Sequence, residues 1–168
     1  MSQSLPYLIA LGVLWVVAPA VGAEEAKPGD VVKMLNGAKL TLEQGLTASE
    51  SQGKPISGKF EIDEGRFQLS IYAVKDGKFY EVIVDHNTGA VAGTEAMHEA
   101  ADLAEAKAQN AAMSKAAKTL KSAVHQAEQA NPGSRAMSVT PKLEKGHAVA
   151  VVTLVKGTAR KTVMESLE

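Results

Sequence analysis

Two runs of alternating apolar residues flank the dipeptide Asp76–Gly77, and together they predict a β-hairpin. A two-residue loop of type I′ needs positive φ at both positions, and Asp-Gly tolerates that conformation. Such a loop fixes the register, so that Val74 lies opposite Phe79 and Leu69 lies opposite Val84. The sequence therefore predicts an antiparallel hairpin whose two faces can be assigned residue by residue.

One face of this hairpin is predicted to be core, because side chains alternate between faces along a strand. The core face contains Phe67, Leu69, Ile71, Ala73, Tyr80, Val82 and Val84. The opposite face is mixed, as in an antiparallel sheet with one side open to water. Its candidate partner-binding residues, named here the hairpin face, are Tyr72, Val74, Phe79, Glu81 and Ile83. The alternative is that a helix or a second unit covers them, since exposed apolar patches are uncommon on monomers.

The end of the hairpin carries a family resemblance. Tyr80-Glu-Val-Ile-Val-Asp85, followed by Asn87-Thr88-Gly89-Ala90-Val91, resembles the Y-E-V-x-V-D-x-x-T-G-x-V ending of PepSY domains. The resemblance covers residues 40–93 and implies the element order helix, strand, strand, strand. PepSY domains occur in propeptides of thermolysin-like proteases and in secreted or membrane-anchored proteins. The resemblance therefore implies a protein partner, and protease inhibition or restraint as the role.

A second, degenerate copy of the unit is expected towards the C-terminus. Thr41-Leu-Glu-Gln44 fits a capping box that begins a helix, and Thr119-Leu120 repeats its start. A loop at Lys156–Gly157 would place one apolar face in positions equivalent to the first hairpin. That face contains Ala148, Ala150, Val152, Leu154 and Val163. Between the copies, the Ala-rich segment 95–130 lacks Gly and Pro and predicts one long helix.

The expected fold class is α+β, a duplicated helix plus antiparallel sheet of three or four strands, with the PepSY-like units joined by the long helix. The domain boundaries are a signal peptide at 1–23, a linker of ambiguous structure at 24–38, the first unit at 39–93, a connecting helix at 94–113 and the second unit at 114–168.

The N-terminal 23 residues resemble a cleaved secretory signal. The apolar run from Leu8 to Ala18 is short for a membrane span, and Val21-Gly22-Ala23 supplies the small residues of a processing site. The alternative is an uncleaved anchor. Either interpretation predicts a periplasmic or secreted protein with no other membrane contact.

Charge and composition exclude several classes of function. The chain has 18 basic and 19 acidic residues, no basic cluster and no cysteine. Nucleic-acid binding relies on phosphate neutralisation, so no nucleic-acid partner is expected. No disulfide can contribute to stability, which must come from a packed core.

Catalytic, metal and cofactor sites find little support in the sequence, and a non-enzyme without cofactor or metal is expected. His98, Glu99 and Asp102 lack the second His of a zinc helix. Asp85 and Asn87 begin a D-x-N-x-G pattern, but Ala96 stands where a calcium loop has its bidentate Glu; we expect a turn in which Asp85 or Asn87 binds local amides.

The function expected from the sequence is an exported, non-catalytic binding module that restrains a protease through a sheet face or edge. The alternatives are a small-ligand or metal-binding exported protein using His98, Glu99 and Asp102, and an envelope assembly module that self-associates through Tyr72 and Phe79.

Overall fold

The computed structural model describes residues 28–168, so the predicted signal peptide and its cleavage lie outside the described residues. Four helices and seven strands follow one another along this part of the chain. The helices are α1 (Pro28–Gly37), α2 (Leu42–Ser49), α3 (Ala100–Met113) and α4 (Leu120–Ala130). The strands are β1 (Lys54–Asp63), β2 (Arg66–Lys75), β3 (Lys78–Val84), β4 (Val91–Ala96), β5 (Arg135–Glu144), β6 (His147–Lys156) and β7 (Ala159–Ser166).

All seven strands form one antiparallel sheet in the order β4-β3-β2-β1-β5-β6-β7. β1 and β5 pair at its centre, through Gly58 opposite Val139 and Lys59 opposite Ser138. The expected fold class, a duplicated unit with three or four strands to each sheet, is therefore wrong. Alternation along a strand indicates which of its faces is buried, but it does not indicate which strand lies beside it. Pairing β1 with β5 satisfies main-chain groups that separate units would leave at open edges.

The register predicted for the β2–β3 hairpin is confirmed. Val74 lies opposite Phe79, and Leu69 lies opposite Val84. The loop residues Asp76 and Gly77 have φ of 51° and 75°, as a type I′ turn requires. On the predicted core face, every residue except the half-buried Tyr80 is buried.

The β6–β7 hairpin differs from its expectation by one residue in the loop. Lys156 pairs with Ala159, so the loop is Gly157–Thr158 and not Lys156–Gly157. Compared with the expected pairing, each β6 residue therefore lies opposite a β7 residue that is two positions further along the chain. A shift of two positions leaves every side chain on the same face of the sheet. The predicted face is therefore still the inner one, with Val152 buried opposite the half-buried Val163.

The long helix expected over 95–130 is wrong in two places. Residues 95 and 96 belong to β4, where Glu95 pairs with Glu81. The helix is then interrupted between Met113 and Leu120. Main-chain amides of Ala117 and Lys118 donate to the carbonyl of Leu167 at 2.7 and 2.9 Å. These tertiary hydrogen bonds stop the helix, which is why no Gly or Pro was needed and no breaker was visible in the sequence.

Helices lie on both sides of the sheet. α2 and α4 pack side by side on one face with Leu42, Leu46, Leu120 and Val124 in the core. α3 crosses the other face over β1, β5 and β6. The segment 24–38, expected to be a linker, includes α1, whose Val32 and Leu35 join the same continuous core. The apolar spacing of Val31, Val32 and Leu35 supports this helix.

Equivalent hydrogen bonds position the starts of α2 and α4. Thr41 forms the predicted capping box with Gln44, and Thr119 caps α4 by accepting from the Ser122 amide at 3.1 Å. Before α2, the carbonyl of His86 accepts from the amides of Lys39 and Leu40 at 3.1 and 3.0 Å, as the Leu167 carbonyl does before α4. Each helix start is therefore fixed to the end of a strand.

Candidate functional site

The residues that carry the PepSY resemblance form a turn after β3. Asp85 Oδ1 accepts hydrogen bonds from the amides of Asn87 and Thr88 at 2.9 and 2.7 Å, and from the Thr88 hydroxyl at 2.9 Å. Hydrogen bonds from the Thr88 amide and hydroxyl, with the Asn87 amide, hold the pKa of the Asp85 carboxyl below its usual value. Gly89 follows with φ of 77°. The predicted turn is confirmed, and Asp85 is the residue that accepts its hydrogen bonds. The side chains of Asp85 and Thr88 therefore stabilise the local turn.

The predicted hairpin face lies on the side of the sheet that α3 crosses. Tyr72 is directly opposite Glu81, and Val74 is opposite Phe79. All five residues of the face are half-buried. Tyr72, Val74 and Phe79 pack against the core cluster, and the amide of Met97 bonds the carbonyl of Phe79 at 3.0 Å. The face is thus partly covered, and its role in binding stays a prediction.

Tyr72 occupies the most polar part of this face. Burial raises the pKa of its phenol to about 12, and the charges of Asp102, Glu81 and Glu105 act in the same direction, while Lys59 opposes them. Asp102 and Glu105 belong to α3, so the helix places carboxylates around the phenol. The neighbouring Glu81 accepts a short hydrogen bond from the Ser70 hydroxyl. Tyr72 is therefore a neutral hydrogen-bonding group throughout the physiological range.

A cleft that the sequence did not indicate opens between α2 and the start of α4, at the end of the sheet where β1 begins. We name it the α2–α4 cleft. Its volume is ≈ 320 Å³. Leu46, Met113 and Leu120 line it and are also core residues. Because these side chains are fixed by the packing beneath them, the apolar lining is preformed.

The rim of the α2–α4 cleft is basic. Lys54, Lys118 and Lys121 line it together with a single carboxylate, Glu50. Lys121 Nζ donates to Glu50 Oε1 at 2.6 Å, which balances one of the three lysines. Lys118 Nζ donates to the carbonyl of Ser166 at 3.1 Å and Lys54 is exposed, so two ammonium groups keep hydrogen-bonding capacity.

The residues considered for a metal site do not assemble one. His98 and Glu99 precede α3 and are exposed, and Asp102 lies in its first turn. Across residues 28–168, no group of three or more His, Cys, Asp or Glu side chains could hold a metal ion. The ligand-binding alternative stays a prediction.

The histidines lie in separate environments. His86 packs edge-on against Phe67, with ring centroids 4.8 Å apart. His125 Nδ1 is 3.4 Å from Glu43 Oε1, and His147 Nδ1 is 3.0 Å from Glu168 Oε2. Both contacts are on the surface and join neighbouring elements. The absence of catalysis remains a prediction.

Arg135 is the structurally important residue that sequence reasoning missed. Its Nη1 donates to the carbonyls of Leu35 at 2.9 Å and Ala38 at 2.7 Å, and its Nη2 donates to that of Leu40. The guanidinium also lies 5.9 Å from the centroid of the Phe60 ring. Arg135 is the first residue of β5, and Lys54 is the first residue of β1. A comparison of the basic residues at these two strand starts could have pointed to Arg135.

Comparison with known proteins gives no family. No family model matches the chain, and no curated protein matches it. Among solved structures, it is similar to the crystal structure of a "putative lipoprotein" from Clostridium difficile 630, with 14% identity and a TM-score of 0.41 over 71% of this chain and 79% of that chain. A likeness this distant carries no weight for function. The PepSY resemblance therefore stays a prediction from the motif.

Within residues 28–168, no helix has both the length and the apolar character needed to cross a membrane.

Proposed function

We propose that the protein is an exported, non-catalytic binding module that docks a protein partner. The N-terminal pattern at 1–23 supports export. The single observation that carries docking is the outer edge of β7. This strand is eight residues long and pairs with β6 without a register shift, while its other side has no neighbouring strand in the described chain. An extended segment of a partner can add to such an edge through main-chain hydrogen bonds.

The opposite edge of the sheet is less suited to this mode. β4 has six residues, and its pairing with β3 is interrupted by a register shift between Ile83 and Val84. Irregular edges resist strand addition. On β7, the Met164 side chain is 61% exposed and offers an apolar anchor. Docking at β7 is therefore the favoured mode, and the hairpin face is the second surface.

The partner we propose is an exported protease whose activity is restrained by docking. Support for this identity comes from the PepSY resemblance at residues 80–91. A protease offers extended segments around its substrate cleft, which suits strand addition. Purified protein should slow at least one exported protease of the same organism. Failure to slow any of them in an activity screen would remove the protease from the proposal.

Crosslinked capture from an envelope extract tests docking itself and locates the surface. Met164→Lys places a charge on the β7 edge, and Ile83→Lys places one on the hairpin face. Ile83 is chosen because Tyr72, Val74 and Phe79 pack against the core and would endanger folding. Met34→Lys on α1, where the side chain is 44% exposed, is the control.

The pattern of loss decides between surfaces. Loss of a captured protein with Met164→Lys alone supports the β7 edge, and loss with Ile83→Lys alone moves the contact to the hairpin face. Capture of a second copy of this chain would indicate self-association in place of a separate partner. Equal capture by parent and all three variants would contradict docking at either surface.

A second candidate function is binding of a small molecule. The observation that favours it is the preformed α2–α4 cleft, whose ≈ 320 Å³ lies at the lower end of the usual range for ligand pockets. The two functions use different parts of the protein and are separable by variants.

A further inference from the structure

The α2–α4 cleft has a counterpart on the other half of the molecule, and that counterpart is filled. It lies where α1 ends and α2 begins, and Arg135 occupies it. The residues whose carbonyls receive Arg135 are Leu35, Ala38 and Leu40. Met113, Ala116 and Lys118 follow these three by 78 residues each and line or border the open cleft.

The strand starts explain why one site is closed and the other open. Lys54 pairs with Val74 and Arg135 pairs with Val155, and a bulge follows each at Pro55/Ser57 and Ala136/Ser138. Arg135 is half-buried, whereas Lys54 is exposed. An ammonium group is strongly hydrated and lacks the planar fork of a guanidinium, so Lys54 stays in water and leaves the cleft empty of protein.

We propose that the α2–α4 cleft binds a single-chain amphiphile with one anionic head, of the class of medium-chain carboxylates. This inference rests on the second candidate function and names its ligand. The apolar chain would lie along the half-buried Pro55 and Ala116, above a floor of the almost fully buried Leu46, Met113 and Leu120. The volume of ≈ 320 Å³ accommodates one short chain.

Charge decides the head group. After the pair between Lys121 and Glu50, the ammonium groups of Lys54 and Lys118 remain on the rim. The start of α4, an 11-residue helix, also lines the cleft. The Thr119 hydroxyl caps this helix by accepting from the Ser122 amide. The first-turn amides of Leu120 and Lys121 therefore remain available to other acceptors. These groups favour a carboxylate, and the helix dipole acts in the same direction.

A cationic head is the competing chemistry, because main-chain carbonyls receive the Arg135 guanidinium in the filled counterpart. In the open cleft, a cation would meet three lysines and only one carboxylate, which is already paired. Like charges at this range oppose binding, so the anion is favoured. The two heads can be compared on the same ten-carbon chain.

Decanoate and decyltrimethylammonium are the probes. The protein is expressed from its full coding sequence and purified as the cell processes it. Binding is followed by ¹⁵N–¹H NMR, which reports both affinity and location. We expect decanoate to shift the amides of residues 113–121 and of Lys54, and decyltrimethylammonium to leave them unchanged. No binding of decanoate by about 1 mM, or shifts confined to other residues, would overturn the proposal.

A charge reversal of the rim supplies the matched comparison. Lys54→Glu with Lys118→Glu should weaken decanoate binding at least about tenfold, the loss expected from removing charge-assisted contacts. Lys33→Glu with Lys39→Glu makes the same change in net charge near the filled counterpart and should leave affinity within about twofold. Circular dichroism verifies folding of both variants, since all four side chains are exposed.

Equal affinity of the two double variants for decanoate would contradict the role of Lys54 and Lys118 in binding the head group. Loss of affinity only in the Lys54/Lys118 variant, with capture of a protein partner unchanged, would support the cleft independently of docking at β7. A failed search for a protease leaves this result standing, because the NMR experiment contains no partner protein.

Discussion

Arg135 Nη1 donates to the main-chain carbonyl of Leu35 at 2.9 Å, joining two residues that are 100 positions apart in the sequence. The bond ties the end of α1 to the first residue of β5. Two further carbonyls, of Ala38 and Leu40, receive the same guanidinium. Leu35 lies in the last turn of α1, where carbonyls lack partners within the helix, whereas Ala38 and Leu40 follow the helix. Arg135 therefore caps α1 from the far half of the chain.

Replacing Arg135 with Met should lower the free energy of unfolding by about 3 kcal/mol, because charge-assisted hydrogen bonds to three main-chain carbonyls are lost. Met keeps the length of the side chain and its apolar stem. Urea unfolding measures the change.

The control for this substitution is Arg66→Met. Arg66 pairs with Glu64 at 3.5 Å, and both side chains are more than three-quarters exposed, at 77% and 79%. Its loss should cost under about 0.5 kcal/mol. Equal effects of the two substitutions would contradict the capping role of Arg135.

Gly45→Ala should destabilise the protein, although Ala is the better helix former by about 1 kcal/mol. A Cβ at Gly45 would overlap the side chain of Leu69, which is itself fully buried. Overpacking of this kind costs about 1–3 kcal/mol and exceeds the propensity gain.

Gly93→Ala is the comparison for Gly45, because nothing lies within 4 Å of the added Cβ and the backbone is not in the left-handed region. Its thermal midpoint should stay at or above that of the parent. A stabilising effect at Gly45 would show that α2 can move away from β2.

Tyr72 should titrate at high pH, with a pKa of about 12 caused first by burial. A raised pKa favours the neutral phenol in the folded state. Its contribution to stability is therefore complete below the ordinary value of 10.0 and is lost as pH rises towards 12. Ultraviolet titration of the parent and of Tyr72→Phe should differ by one phenol in this window. Loss of a phenol that titrates at its ordinary value would contradict the burial of Tyr72.

The Asp85 carboxyl should make the free energy of unfolding depend on pH in the acidic range. Its pKa is lowered from 3.8 by hydrogen bonds from Thr88 and Asn87. The depressed pKa means that the stabilising contribution is present above the unfolded value and is lost as pH falls below it. Asp85→Asn keeps the Oδ1 acceptor but cannot titrate, so unfolding free energies measured across acidic pH should fall less steeply. Parallel curves for parent and variant would contradict this role.

Local chemistry made the β2–β3 hairpin predictable. Asp76–Gly77 specifies its own turn, and side-chain alternation then assigns Leu69 and Val82 to the core without reference to the rest of the chain. The capping box at Thr41 and the turn at Asp85 were predictable for the same reason, since their partners lie within three residues.

The candidate sites were far less accessible. The hairpin face was placed correctly by register, but its partial cover by α3 and Met97 depends on contacts that no short-range pattern encodes. The α2–α4 cleft is built from two distant stretches of the chain, 46–55 and 113–121, and no short-range pattern links Lys54 to Lys118 and Lys121. Lys54 and Lys118 are 64 residues apart and meet only because the chain passes around the sheet.

The amino-acid sequence by itself determined the β2–β3 hairpin, the inner faces of both hairpins and the capped start of α2, because turn φ angles, side-chain alternation and caps act over a few residues. Tertiary structure decided that β1 pairs with β5, that the Ala-rich segment breaks at Met113, and that Arg135 fills one cleft while Lys54 leaves the other open. Each of these outcomes depends on main-chain groups finding partners far along the chain. A sequence pattern records which groups need partners, whereas only the packed fold selects them.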